Sequence, residues 1–109
     1  MSTQVQNILI NPTTDAKTSN SFTGISGTTL TVTAFNLGNN ETVTFQIYDP
    51  STQTWANYKA DNKIFQLSSQ TNGLDVYMTS GIYRMAKTAT NQAVGVGVTS
   101  NIALNIIAV

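Results

Sequence analysis

The 109-residue chain contains no cysteine and no histidine. The first absence excludes a disulfide scaffold and a thiolate site. The second removes the commonest general base and the commonest transition-metal ligand. Charge is scarce as well: five acids (Asp15, Glu41, Asp49, Asp61, Asp75) balance five bases (Lys17, Lys59, Lys63, Arg84, Lys87), with no block of either sign. Nucleic acid and anionic membrane surfaces both select a concentrated positive field, so neither is an expected partner. No apolar run approaches the ~18 residues of a membrane span, and Met1–Ile10 lacks a basic n-region, so the expectation is a protein made in the cytoplasm, or one that enters another compartment without a recognisable Sec signal.

The chemistry-bearing motifs are equally sparse. There is no G-x-S-x-G, no phosphate loop and no dinucleotide fingerprint. Glycoside hydrolysis needs two carboxylates across a cleft, and nothing in the spacing of the acids selects a pair. Asp61-Asn62 and Asn39-Asn40-Glu41 are thin material for calcium. The expectation is a protein that is not an enzyme and holds no metal or cofactor.

What the chain does have is neutral polarity: Thr, Asn, Ser and Gln make up 46 of its 109 residues. Such a surface offers little charge repulsion between copies, which favours self-association. Residues 11–21, NPTTDAKTSNS, are almost free of apolar side chains and follow the short apolar run VQNILI. Residues 1–21 therefore read as an N-terminal arm and polar linker ahead of one domain, 22–109. The strand in the arm (Val5, Ile8, Leu9, Ile10) is suited to pair with this domain's own sheet or with a neighbour's edge.

From Phe22 onward the apolar residues recur at every second position, as they do in half-buried strands. Leu30, Val32 and Ala34 alternate with threonines, as do Val43, Phe45 and Ile47. A hairpin through Leu37-Gly38-Asn39-Asn40 would set Leu30 opposite Ile47 and Thr33 opposite Thr44. Asp49-Pro50-Ser51-Thr52 is turn chemistry leading to a strand near Thr54–Lys59. Folding at Asn72-Gly73 would pair Leu67 with Met78. A turn at Ser80-Gly81 would pair Val76 with Met85 and place Arg84 over Tyr77. The fold class that fits is all-β: a single antiparallel β-sandwich, immunoglobulin-like or jelly-roll, of about eight short strands with an extended N-terminal arm.

The stretch AVGVGVTS (residues 93–100) carries glycine between its valines, although each glycine costs a strand roughly 0.5–1 kcal/mol relative to alanine. A hairpin with residues 102–106 would pair Val94 with Ile106 and leave Gly95, Gly97 and Ala103 on a nearly bald face. That face has three readings: a bulge or bend in its own sheet, cover by the chain's own N-terminal arm, or contact with another subunit. On the last reading, Val5, Ile8, Leu9, Ile10, Gly95, Gly97 and Ala103 form the interface. A rival site is an aromatic one, Tyr48, Trp55 and Tyr58, where rings stack on sugars while the many amides and hydroxyls supply hydrogen bonds.

Taken together, ETVTFQIYDPSTQTWANYK, the Asn72-Gly73 turn, GIYRMAK and AVGVGV resemble small all-β virion proteins of tailed bacteriophages, over roughly residues 22–109. They look most like the capsid decoration, or cement, proteins of the outer shell. The resemblance implies a homo-oligomer, trimer favoured and dimer possible, that stabilises the shell by binding the major capsid protein. Its location would be the virion, assembled in the host cytoplasm. A small fibre or receptor-binding domain has a similar sequence style.

Overall fold

The computed structural model describes residues 5–60, 62–101 and 105–106. Among them are eight strands of three or more residues: β1 (Val5–Thr13), β2 (Phe22–Gly24), β3 (Thr29–Thr33), β4 (Val43–Asp49), β5 (Thr54–Asn57), β6 (Gly73–Tyr77), β7 (Gly81–Lys87) and β8 (Val94–Ser100). One sheet runs β1-β8-β3-β6, and the other runs β2-β7-β4-β5. All pairings are antiparallel. Two-residue segments extend the second sheet: Lys17–Thr18 lies on β7, Gln66–Leu67 on β4, and Asn105–Ile106 on β2. Lys59–Ala60 and Lys63–Ile64 form a small separate hairpin.

The order has a simple logic. Strand 1 pairs with 8, 2 with 7, 3 with 6 and 4 with 5. The chain is thus one long hairpin rolled up on itself, the eight-stranded jelly roll. Its tip is the turn between β4 and β5. There the Asp49 carboxylate accepts hydrogen bonds from Ser51 N (3.0 Å), Ser51 Oγ (2.7 Å) and Thr52 Oγ1 (2.9 Å). Gln53 closes the turn at φ +57°.

This topology corrects the local hairpins expected from sequence, because in a roll only the tip joins chain neighbours side by side. Leu30 and Ile47 lie in opposite sheets: Leu30 pairs with Val76 and Ser100, Ile47 with Tyr83 and Ala56. Leu67 pairs with Val43 and Met85 with Phe45, so neither the Leu67–Met78 nor the Val76–Met85 pairing forms. Reversal before β6 occurs at Ser68 and Thr71, which exchange two backbone hydrogen bonds, while Gly73 already sits in β6 opposite Thr33. Ile106 pairs with Phe22 and Val94 with Thr13, which removes the C-terminal hairpin. Residues 102–104 lie outside the described residues.

The alternation itself holds. Leu30, Val32, Ala34, Val76, Met78, Val94, Val96 and Val98 are buried from one sheet; Phe22, Val43, Phe45, Tyr83 and Met85 face them from the other. The rings of Phe22, Phe45, Tyr58, Phe65 and Tyr83 interlock with centroids 5.1 to 6.2 Å apart. Aromatic pairs in this range add roughly 0.5–1.5 kcal/mol each beyond their area burial. The buried Tyr83 hydroxyl donates to the Thr79 carbonyl at 2.9 Å, satisfying its polar tip.

Among the described residues two charged side chains are buried, and both tie loops together. Glu41 accepts from Gly38 N (2.7 Å) and Asn91 N (3.0 Å), which joins the β3–β4 crossing to the β7–β8 crossing. Lys87 Nζ donates to Asp15 O (2.8 Å), Thr88 O (3.0 Å) and Thr90 Oγ1 (3.0 Å). Burial lowers its pKa, against the opposing pull of Asp15 and Glu41. With all three donors occupied, Lys87 is a staple and not a nucleophile.

Candidate functional site

The two outer faces of the roll differ in chemistry. On the first sheet, alternation sends Gly95, Gly97 and Thr99 of β8 outward. The pairings then align Ile8, Gly97, Thr33 and Gly73 in one row across four strands. The next row is Gln6, Thr99, Thr31 and Asp75, in which Thr31 Oγ1 donates to Asp75 Oδ1 at 2.8 Å. Only Ile8 in these two rows is large and apolar, and it is 71% exposed. Ile8 is also one wall of an apolar hollow of about 170 Å³, lined otherwise by Ile10, Pro12, Gly95, Val96 and Gly97.

The two glycines of β8 play different parts. Strand β1 bulges between Ile8 and Ile10 and again between Ile10 and Thr13, so Asn11 and Pro12 stand opposite Gly95 without a matched partner. A Cβ at Gly95 would lie 3.1 Å from the Ile10 carbonyl oxygen and 3.1 Å from Pro12 Cγ. The chain's own first strand covers this position. At Gly97 a Cβ would meet only Thr33 Oγ1 at 3.4 Å and Asn7 O at 3.8 Å, ordinary contact distances, so its outward side is open.

The other residues expected at an interface separate by depth. Ile10 is buried and Leu9 packs against the core. Val5 pairs with Ser100 at the end of β1, and Ala103 lies outside the described residues. Residues 17–19 of the polar segment run along β7, where Ser19 N donates to Met85 O and Ser19 Oγ accepts from Met85 N.

On the second sheet, the outward residues of β4, β5 and β7 form a polar and aromatic platform. Tyr48 pairs with Trp55, their ring centroids 5.2 Å apart. The Arg84 guanidinium carbon lies 4.4 Å from the Trp55 ring centroid. Arg84 Nε donates to Gln46 Oε1 at 2.8 Å, and Gln46 Nε2 donates to Asn57 Oδ1 at 3.2 Å. Partial desolvation lowers the Arg84 pKa from its ordinary value, and the guanidinium stays a cation at physiological pH. Tyr58 is not part of this platform; its ring packs on Phe45, Phe65 and Tyr83 in the core.

Sequence reasoning set Arg84 over Tyr77, but Tyr77 pairs with Thr29 in the other sheet. The β4–β7 pairing brings Arg84 beside Gln46 instead. That pairing spans 38 residues, and no local signal announces it. Among the described residues no group of three acidic side chains could hold a metal ion.

No protein-family model matches the chain, and no curated protein is significantly similar to it. Among solved structures, the crystal structure of the SPBc2 prophage-derived protein YomS has the same fold, with a TM-score of 0.67 over 92% of this chain and 94% of that one, at 11% sequence identity.

Proposed function

We propose that this chain is a non-enzymatic structural protein of a bacteriophage particle, a homo-oligomer that decorates and stabilises the capsid shell. The carrying observation is the row Ile8–Gly97–Thr33–Gly73, one exposed apolar side chain beside a strip nearly free of side chains. A single exposed isoleucine is ordinary. An isoleucine next to a bare hollow of its own chain is a knob adjacent to a hole, a pairing that a second copy complements.

Two further observations support the reading. The chain is uncharged overall, so nothing electrostatic keeps such faces apart. The fold is shared almost end to end with a protein encoded by a prophage, and jelly rolls are recurrent building blocks of viral shells. The partners are then further copies of this chain and the major capsid protein.

The test is co-sedimentation with shells assembled from the major capsid protein of the phage that encodes this chain. The native protein is expected to pellet with the shells, and Gly97→Val to remain in the supernatant while melting at an unchanged temperature. Equal pelleting of both would remove the first-sheet face from the interface. Absence of binding by the native protein would remove the decoration role.

A further inference from the structure

We infer that the outer face of the second sheet is a binding site for an acidic saccharide, with Arg84 holding the sugar carboxylate and Trp55 and Tyr48 forming the apolar floor. The inference is independent of the role proposed for the other face.

The guanidinium is held in place before any ligand arrives. Its carbon lies over the Trp55 ring, and its Nε–H is committed to Gln46, itself anchored on Asn57. The fork formed by Nη1 and Nη2 is left without a protein acceptor among the described residues. A planar fork of two parallel N–H donors matches a carboxylate bidentately.

No described acid of the chain serves as that carboxylate. Glu41 is engaged with Gly38 and Asn91, Asp49 with Ser51 and Thr52, and Asp75 with Thr31 on the opposite sheet, while the Asp15 charge acts on Lys87. A half-buried, pre-oriented cation with no internal counter-ion is suited to an external anion.

The surroundings identify what carries the anion. The Trp55 indole N–H and the Tyr48 hydroxyl have no hydrogen-bond partner among the described residues, and the Asn57 amide N–H₂ has none either. The Tyr48 and Trp55 rings, a fixed cation and several unused neutral donors thus lie together on the adjoining strands β4, β5 and β7. A simple carboxylate uses only the fork, whereas a sugar acid uses its ring face and hydroxyls too.

The single tryptophan of the chain makes the test direct. Trp55 fluorescence is followed while the full chain is titrated with oligogalacturonate, with neutral oligogalactose and with sodium acetate at matched ionic strength. Saturable change is expected with oligogalacturonate alone, and Arg84→Lys, which keeps the charge and loses the fork, should weaken it by about tenfold or more at unchanged melting temperature. Equal response to the neutral oligosaccharide, or equal binding by a folded Arg84→Lys variant, would overturn the role of Arg84. The same response to acetate would overturn the saccharide, leaving a plain anion contact. No saturable response to any of the three would overturn the site. Should Arg84→Lys fail to fold, chemical-shift changes confined to the Arg84 and Trp55 side-chain N–H groups on adding oligogalacturonate would support the site, and their absence would contradict it.

Discussion

Pro12 stands over Gly95: a side chain added at position 95 would press on the Pro12 ring and on the Ile10 carbonyl, each at 3.1 Å. The glycine is required by the bulged strand of the same chain. Gly95→Ala gains roughly 0.5–1 kcal/mol of backbone entropy but meets an overpacking cost of typically about 1–3 kcal/mol. Chemical denaturation should therefore show a net loss of about 1 kcal/mol. Combined with Pro12→Ala, the loss should be smaller, because the two changes share one contact and do not add. Equal losses in both backgrounds would show that Pro12 is not the obstacle.

Gly24 is the tightest of the seven glycines. A Cβ there would clash with Tyr83 Cε2 and lie 2.7 Å from Met78 Cε and 2.8 Å from Thr79 O. The methionine end can turn away; the buried aromatic ring and the backbone oxygen cannot. Gly24→Ala should cost about 3 kcal/mol or more, at the upper end of overpacking effects, and thermal melting of the variant measures it. An unchanged melting temperature would mean that β2 and β7 are less closely apposed than described.

Removing the Glu41 carboxylate strands two backbone donors, Gly38 N and Asn91 N, in a partly buried loop junction. An unsatisfied buried donor costs about 1–3 kcal/mol, so Glu41→Ala should lose at least that much in denaturant unfolding. Glu41→Gln keeps one acceptor oxygen and should lose less. In hydrogen exchange the amides of Gly38 and Asn91 should lose protection together.

Asp49 titrates below the ordinary 3.8 of an aspartate because Ser51 and Thr52 donate to its charged form. The sign follows from linkage: the folded carboxylate holds its proton less tightly than the unfolded one, so its contribution is present in full above 3.8 and is lost as pH falls through the lower folded value. Carbon-detected NMR titration should place Asp49 below the ordinary aspartate value, and Ser51→Ala should raise it, since the Ser51 hydroxyl is the largest cause of the shift. No movement on Ser51→Ala would contradict the turn geometry.

Which face each residue takes was readable in the sequence, and which strand it lies beside was not. Val43 and Phe45 point inward, as period two dictates, yet their neighbours are Lys87 and Met85, some forty positions away. A two-residue period encodes the side of a sheet. It carries no information on order within it. The strong Asn72-Gly73 signal was overridden because β6 crosses to the other sheet, where Gly73 meets Thr33. Among the eight strands of the roll, only the two joined by the Asp49-Pro50 turn at its tip are adjacent both in sequence and in space. The candidate sites divide in the same way. Trp55 and Tyr48 were visible as a pair flanking that turn; Arg84 joins them through a long-range register, and Gly95 and Gly97 part company only once Pro12 is placed.

The account rests on Ile8 and Gly97 forming a face that a second copy covers, and the molar mass in solution tests this most directly. Static light scattering of the native chain should give a trimer or dimer mass, and Ile8→Asp, a change at an exposed position expected to alter stability by no more than about 0.5 kcal/mol, should give the mass of a single chain. A single-chain mass for the native protein, or an unchanged oligomer in Ile8→Asp, would contradict it.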